Sequence, residues 1–252
     1  MINLSRRKLI LSGLATTAGA SGLAVAARLA QKYGLIPPDH GGIYGLGETL
    51  TYASQRLLTR HSLAREFPRN RISPRPFPNE LGPLTKDFKR LQAGGFADWR
   101  LSIDGMVHQP ASLSIADLKN CPSRSHITEL ACEEGWSYIA EWIGVPLSHV
   151  LHVTGVHPQA RYVVYVSMES DTWDSIDMAD ALHPQTLLCY GMNGSELPVA
   201  HGGPLRIRLP RQIGYKNIKF ITRLTVTDSL KRFGKGLGSA AAEAGYAWYT
   251  GI

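Results

Sequence analysis

Between Trp99 and Asp228 the chain is cut into short β-rich runs by turn residues, and that spacing limits the fold more than any other feature. Trp99-Arg-Leu-Ser-Ile-Asp-Gly105 alternates apolar and polar residues and stops at a glycine, as a half-buried strand does. Ser125–Cys132 and Leu187–Met192 read as further strands, Leu205–Leu209 alternates cleanly, and Arg161–Ser167 and Asn217–Asp228 are rich in β-branched and aromatic residues. Asn193-Gly194 follows one of them as a hairpin turn signal. Helical spacing is confined to short stretches. They are Ser114–Leu118, Gly144–Leu151 and a helix capped by Thr49 or Thr51 that runs through Gln55-Arg56-Leu57-Leu58 towards Arg65. Many short strands with few short helices predict an α+β fold dominated by mixed sheet.

The flanks read differently. Gly41, Gly42, Gly45 and Gly47 break the stretch ahead of the first helix. Pro68, Pro74, Pro76, Pro78 and Pro83 then forbid a long helix or a central strand over residues 66–86, which predicts an extended arm lying on something else. Gly234-Lys-Gly-Leu-Gly-Ser239 and Ala240–Ala244 form a small-residue tail ahead of Tyr246, Trp248 and Tyr249. The expected division is a leader over 1–27, a helix and arm over 28–93, a strand-rich domain over 94–230 and a tail over 231–252. With 252 residues, 44% hydrophobic and 19% charged, the chain can bury a core of its own, and is neither a disordered tail nor a fibre.

Ser5-Arg6-Arg7-Lys8 opens a weakly apolar run from Leu9 to Ala27 that carries Ala24-Val25-Ala26 near its end. That is the order of a twin-arginine export signal, and it predicts a periplasmic location. An uncleaved anchor is the alternative for the same run. Elsewhere no stretch of 18 uninterrupted apolar residues occurs, so no transmembrane span is expected in the mature chain. The net charge of +7 is spread along the sequence rather than gathered in a stripe, so no nucleic-acid partner is expected.

Four runs carry chemistry. In Glu129-Leu-Ala-Cys132-Glu-Glu-Gly-Trp136-Ser137 a cysteine follows a strand and precedes two acids. The second run is His183–Gly194. In His201-Gly-Gly-Pro-Leu-Arg206 and Gly214-Tyr-Lys216-Asn-Ile-Lys219, cations stand beside glycines that let backbone N–H groups approach an anion. The fourth run is the aromatic tail Gly245–Ile252. Singly, each has an ordinary explanation: a core cysteine, as Cys121 and Cys189 read, a solvated loop, or a core plug. No CxxC pair, dinucleotide fingerprint, Walker loop or HExxH is present.

In order and spacing, these runs resemble the sulfite oxidase superfamily of molybdopterin-dependent oxidoreductases, and its exported, haem-free bacterial members in particular. The likeness covers roughly Phe96–Asp228, extended by the tail. It implies the sulfite-oxidase-type molybdopterin-binding fold and a molybdenum–molybdopterin cofactor. By position, it implies that Cys132 is the catalytic thiolate on the metal. It implies pterin contacts at Ser167, His201, Arg206, Asn217, Ile218 and Lys219, with Arg206 and Lys219 meeting phosphate. Lys216 is a spare cation, expected to be exposed. Glu134, Gly135 and Trp136 match the family's run after the metal-binding cysteine, and Tyr246 and Trp248 an aromatic segment on the active-site side. Arg75 and Asn79 fit the family's arginine-and-asparagine pair in the arm only with a shift.

The implied reaction is two-electron oxygen-atom transfer at molybdenum, reducing S- or N-oxides, with methionine sulfoxide in proteins as one substrate. A sulfite-type dehydrogenase passing electrons to an external cytochrome is the alternative. The acidic run after Cys132 differs from the more basic one of sulfite-oxidising members. Without a haem-attachment motif, a separate electron partner is implied, either a membrane haem protein or a periplasmic cytochrome. A non-catalytic periplasmic binding domain is the competing reading of another class.

Overall fold

The computed structural model of the protein describes residues 34–42, 44–79, 82, 83, 85–169 and 171–252, together with 28 and 30. The expected leader over 1–27 lies outside them. Helix α1 (Gly45–Leu58) starts ahead of the expected caps at Thr49 and Thr51 and ends short of Arg65. Gly45 and Gly47 lie inside it rather than breaking the chain. Gly45 permits the early start, because a Cβ there would collide with the His40 carbonyl in the tight turn Pro38–Gly41.

The proline-rich stretch is extended apart from one turn at Arg69–Arg71. It is followed by α2 (Lys86–Ala93), capped by the Thr85 hydroxyl. Next come β1 (Leu101–Gly105), β2 (Ala111–Leu113) and α3 (Ile115–Asn120), which opens on a Ser114/Asp117 capping box. Strands β3 (Arg124–Ala131) and β4 (Ser137–Pro146) form a long hairpin that leads into α4 (Leu147–Thr154). The arm lies along this hairpin. Glu66 bridges to Thr128, the Phe67 N–H donates to the Ile127 carbonyl at 2.9 Å, and the Ser73 N–H donates to the Ile139 carbonyl at 2.9 Å.

Then follow β5 (Tyr162–Ser167), β6 (Trp173–Asp177), α5 (Met178–Ala181), β7 (Leu187–Met192), β8 (Ser195–Glu196), β9 (Arg206–Arg208), β10 (Ile221–Thr227) and α6 (Ala240–Glu243). The Asn193-Gly194 hairpin forms as expected between β7 and β8, with both residues at positive φ. One sheet runs β2-β1-β10-β5-β6, with β1 and β10 parallel and the other neighbours antiparallel. The other runs β3-β4-β7-β8, with β9 also paired to β7. The main core gathers Leu101, Ile103, Tyr165 and Leu224 from the first sheet with Leu188 and Ile207 from the second. The architecture is the expected α+β with mixed sheet.

Strands β4 and β6 were not among the expected elements. Gly144–Pro146, expected to be helical, closes β4 instead. Tyr138, Ala140, Trp142, Val145 and the half-buried Ile139 and Ile143 put apolar groups on both faces of β4, which removes the alternation that marks a strand. At Gly144 a Cβ would run into the Leu188 carbonyl of β7, beside a register shift in the β4–β7 pairing. Asn217–Phe220, expected at the start of β10, is a loop held to β9, and Phe220 has φ of 56°.

Candidate functional site

Cys132 is the first residue past β3, inside a tight connection. Its N–H donates to the Trp136 carbonyl at 2.9 Å, and its carbonyl accepts from the Gly135 N–H at 3.1 Å. Gly135 at φ of 90° closes this turn. The half-buried sulfur opens on a cavity of about 230 Å³ built by four segments. Pro78 and Asn79 come from the arm. Glu133 and Trp136 come from the β3–β4 turn, Glu169 and Thr172 from the β5–β6 turn. Arg206, Gly214, Tyr215, Asn217, Ile218 and Lys219 come from β9 and the loop after it. Gly214 is packed so closely that a Cβ there would lie 3.0 Å from Cys132 Sγ.

Burial, followed by the carboxylates of Glu133 and Glu134, pushes the Cys132 thiol up to about 12, against the pull of the Glu134 backbone N–H. The Cys132 S–H donates to Glu133 Oε2 at 3.1 Å. Glu134 Oε2 is 2.7 Å from the Trp136 indole N–H. In this setting the sulfur becomes a thiolate only with a cation beside it, as metal coordination supplies.

Arg206 is buried, and its two terminal nitrogens donate to the carbonyls of His201 and Asn217 at 2.8 and 2.6 Å. Its Nε–H is buried with no partner, and no carboxylate pairs with it among the described residues. Burial lowers its pKa. Arg208, two positions on and also buried, is brought down to about 9 by burial and by the neighbouring Arg206. Lys219 Nζ donates to the carbonyls of Pro78 (2.6 Å) and Ala200 (2.9 Å), so it ties the arm to the site. Asn217 Oδ1 accepts from Arg208 and from the Leu209 N–H, both at 2.7 Å, which fixes the loop against β9.

Of the residues singled out in the sequence, Cys132, Arg206, Asn217, Ile218 and Lys219 line the cavity. Ser167 and His201 stand one layer behind. The Ser167 hydroxyl accepts from the Glu169 N–H at 3.0 Å. His201 Nδ1 lies 3.3 Å from the hydroxyl of Tyr138, which itself lines the cavity. Burial, with Arg206 and Lys219 nearby, lowers the His201 pKa to about 4. Asn79 reaches the cavity, whereas Arg75 is exposed outside its lining.

Lys216 corrects its expectation. It is wholly buried, paired with Asp174, and lies 5.3 Å from the centre of the Trp248 ring. In the tail, Trp248 is core. Tyr246 is half exposed and rests 5.3 Å from the ring of Tyr215, which lines the cavity. Arg208 and Tyr138 were not singled out, and Gly214 was noted only as a glycine beside cations, not for its approach to Cys132. The alternation Leu205-Arg-Ile-Arg-Leu209 did carry a signal for Arg208, since it puts both arginines on one strand face.

A family model described as "Oxidoreductase molybdopterin binding domain" matches residues 89–232. The chain belongs to that family. A relative from Azospira oryzae, named as protein-methionine-sulfoxide reductase subunit YedZ1, is 35% identical over 195 residues, covering 77% of this chain and 70% of its own. The protein-methionine-sulfoxide reductase catalytic subunit MsrP of Ralstonia nicotianae is 31% identical over 145 residues, 52% of this chain and 44% of that protein. MsrP of Xanthomonas axonopodis pv. citri is 33% identical over 147 residues, 52% of this chain and 46% of its own. The chain thus spans somewhat under half the length of these two catalytic subunits. Among solved structures, the sulfane dehydrogenase SoxCD from Paracoccus pantotrophus is similar, with a TM-score of 0.50 and 25% identity over 52% of this chain and 39% of that one.

A molybdopterin-binding oxidoreductase needs a soft protein ligand and cations for a phosphate, and the residues present fit. Among the described residues there is no cluster of three His, Cys, Asp or Glu side chains that could hold a metal ion. A single thiol meets the same cavity as a buried arginine with an unpartnered N–H.

Proposed function

We propose that this chain is an exported molybdenum-cofactor enzyme that reduces S- or N-oxides, with methionine sulfoxide in proteins as a substrate. The observation that carries the reading is the convergence of the Cys132 sulfur, the buried Arg206 guanidinium with its unpartnered Nε–H, and the Lys219 ammonium on one cavity. When bound, the cofactor supplies two-electron redox chemistry and an exchangeable oxygen position.

The chain's own residues hold and orient it. Cys132 gives the one protein sulfur. Arg206 and Lys219 give fixed positive charge for the pterin phosphate, and their carbonyl partners keep both from swinging away. Asn217 and Ile218 present the loop between them. Ser167 and His201 act through neighbours, bracing the Glu169 turn and the Tyr138 ring. Trp136, stacked on Tyr138 at 5.8 Å and edge-on to Phe77 at 5.3 Å, walls the cavity against water.

The names of the relatives support S-oxide reduction. The leader motif Ser5-Arg6-Arg7-Lys8 supports twin-arginine export to the periplasm. Electrons then come from a separate partner, a membrane haem protein or a periplasmic cytochrome. The likeness to a sulfane dehydrogenase favours a second reading, the oxidative direction at the same site.

The test is metal analysis and electron paramagnetic resonance of protein made in a cofactor-competent host, with turnover measured in both directions. Stoichiometric molybdenum, a sulfur-ligated signal and S-oxide reduction are expected, and Cys132→Ala should lose the signal and the turnover. A molar ratio near zero after loading sinks the reading in favour of a binding domain.

A further inference from the structure

Helix α1 has its charge inside and its leucines outside, the reverse of an ordinary surface helix. Its inner face buries Tyr52 and Arg56, whose hydroxyl and guanidinium reach Asp177 and Asp180. On the outer face Leu46, Leu50 and Leu57 are 78%, 63% and 69% exposed. At 100° per residue they fall within a band roughly 40° wide. Leu58 and Tyr44, at the two ends of the helix, are also exposed but lie off this band.

The ground beside this stripe is cationic. Leu57 shares a hollow of about 670 Å³ with Arg60 and Arg161. Arg161 also lines the next hollow, where Lys231 and Lys235 outnumber the one acid, Asp228. From Tyr44 to Arg75 the acids are Glu48 and Glu66, against five exposed arginines, Arg56 being buried in its pair with Asp177 and Asp180. At 14 residues α1 is about 21 Å long, too short for a hydrocarbon core of about 30 Å. No helix among the described residues is long and apolar enough to cross a membrane.

An apolar stripe with a cationic border on one exposed helix is the pattern of an element that lies in a bilayer interface. We propose that the outer face of α1 docks the protein on an anionic lipid surface. Leu46, Leu50 and Leu57 enter the acyl boundary, and Arg60, Arg161, Lys231 and Lys235 meet headgroup phosphates. The inference does not depend on the cofactor.

The test is sedimentation of the full chain with vesicles of phosphatidylcholine, with and without phosphatidylglycerol. Binding should favour the anionic vesicles and weaken in high salt. Leu46→Gln/Leu50→Gln/Leu57→Gln should bind about tenfold more weakly or worse, with circular dichroism and thermal midpoint unchanged. Arg60→Gln/Arg161→Gln should lose the preference for anionic lipid, whereas Val153→Gln, an exposed apolar position on α4, should bind as wild type. Undiminished binding by the triple variant overturns the proposal and assigns the lipid to another segment, the run Leu9–Ala27 first. Absence of wild-type binding to anionic vesicles overturns it too. A lipid-free dimer that the triple variant dissolves, without vesicle binding, replaces the bilayer with a second copy of the chain.

Discussion

Gly214 and Cys132 approach each other so closely that the site depends on a missing methyl group. A Cβ at 214 would stand 3.0 Å from the sulfur and 3.1 Å from Cys132 Cα, and the backbone there cannot yield without moving the β3–β4 turn. Gly214→Ala is expected to cost about 1–3 kcal/mol of stability as overpacking. It should cost more in molybdenum content, because the displaced atom is the proposed metal ligand. Metal analysis beside a thermal melt separates the two effects. His201 gives a pH-dependent counterpart. Its folded pKa of about 4 lies below the unfolded 6.5, so as pH falls the unfolded chain takes the proton first. Stability from this group is complete above pH 6.5 and is lost as pH falls to 4. Asp174 slopes the other way: burial holds its folded pKa at about 6 against 3.8 unfolded, so its contribution grows as pH falls between those values. The difference between wild type and His201→Gln isolates the imidazole. Denaturant midpoints of the two cofactor-free chains should converge as pH falls from 6.5 to 4, and parallel curves would remove His201 from the account.

Helix α1 is latched to the first sheet by charge rather than by apolar area. Arg56 meets Asp177 and Asp180, Gln212 donates to Asp180 at 2.6 Å, and the Arg56 guanidinium lies 4.5 Å from the Tyr249 ring centre. Arg56→Met leaves two buried carboxylates without their principal cation, and a loss of about 3–5 kcal/mol is expected. Limited proteolysis near Arg60 and Arg65 should quicken before the core melts, since the latch holds the helix and not the sheets. This latch also marks where the sequence stops being readable. The partners of Arg56 lie 121 and 124 positions away, so no local pattern announces its burial. Strand β6, Trp-Asp-Ser-Ile-Asp, has the same difficulty. Asp174 and Asp177 look solvent-facing, yet each is buried by a cation from a distant segment. Lys216, expected at the surface, is one of those cations. By contrast β1 depends on alternation, β5 on β-branched and aromatic residues, and β7 on the Asn193-Gly194 turn that follows it; all three signals are local, and these were legible. At the site the same division holds: Cys132, Arg206, Asn217, Ile218 and Lys219 came from a motif that keeps its order, while Gly214's closeness to Cys132 depends on two loops meeting.

Across the whole molecule, the same buried pair joins the candidate site to both ends of the described chain. Lys216 Nζ pairs with Asp174 and donates to the Ser175 carbonyl at 2.9 Å. The Ser175 hydroxyl donates to the Gly238 carbonyl and accepts from the Trp248 indole N–H at 2.9 Å. The Trp248 backbone N–H donates to Asp39 Oδ2 at 2.7 Å, ahead of α1. The first sheet closes the ring, as the Tyr165 hydroxyl donates to the Lys216 carbonyl at 2.9 Å. Lys216 thus stands between Gly214, packed on Cys132, and Asn217, which lines the cavity. Lys216→Met alone leaves Asp174 buried and unpaired, and about 3–5 kcal/mol should be lost. Lys216→Met/Asp174→Leu replaces the pair with apolar groups and should return to within about 1–2 kcal/mol of wild type, because desolvation then cancels on both sides. Cofactor retention distinguishes two roles for the lysine. If Lys216 only anchors the loop, molybdenum content falls in the single variant and recovers in the double one. If its charge acts on the pterin phosphate, stability recovers in the double variant and molybdenum does not. The closed contacts to Asp174, Ser175 and Trp248 predict the first result, and recovery of the fold without the metal would refute it.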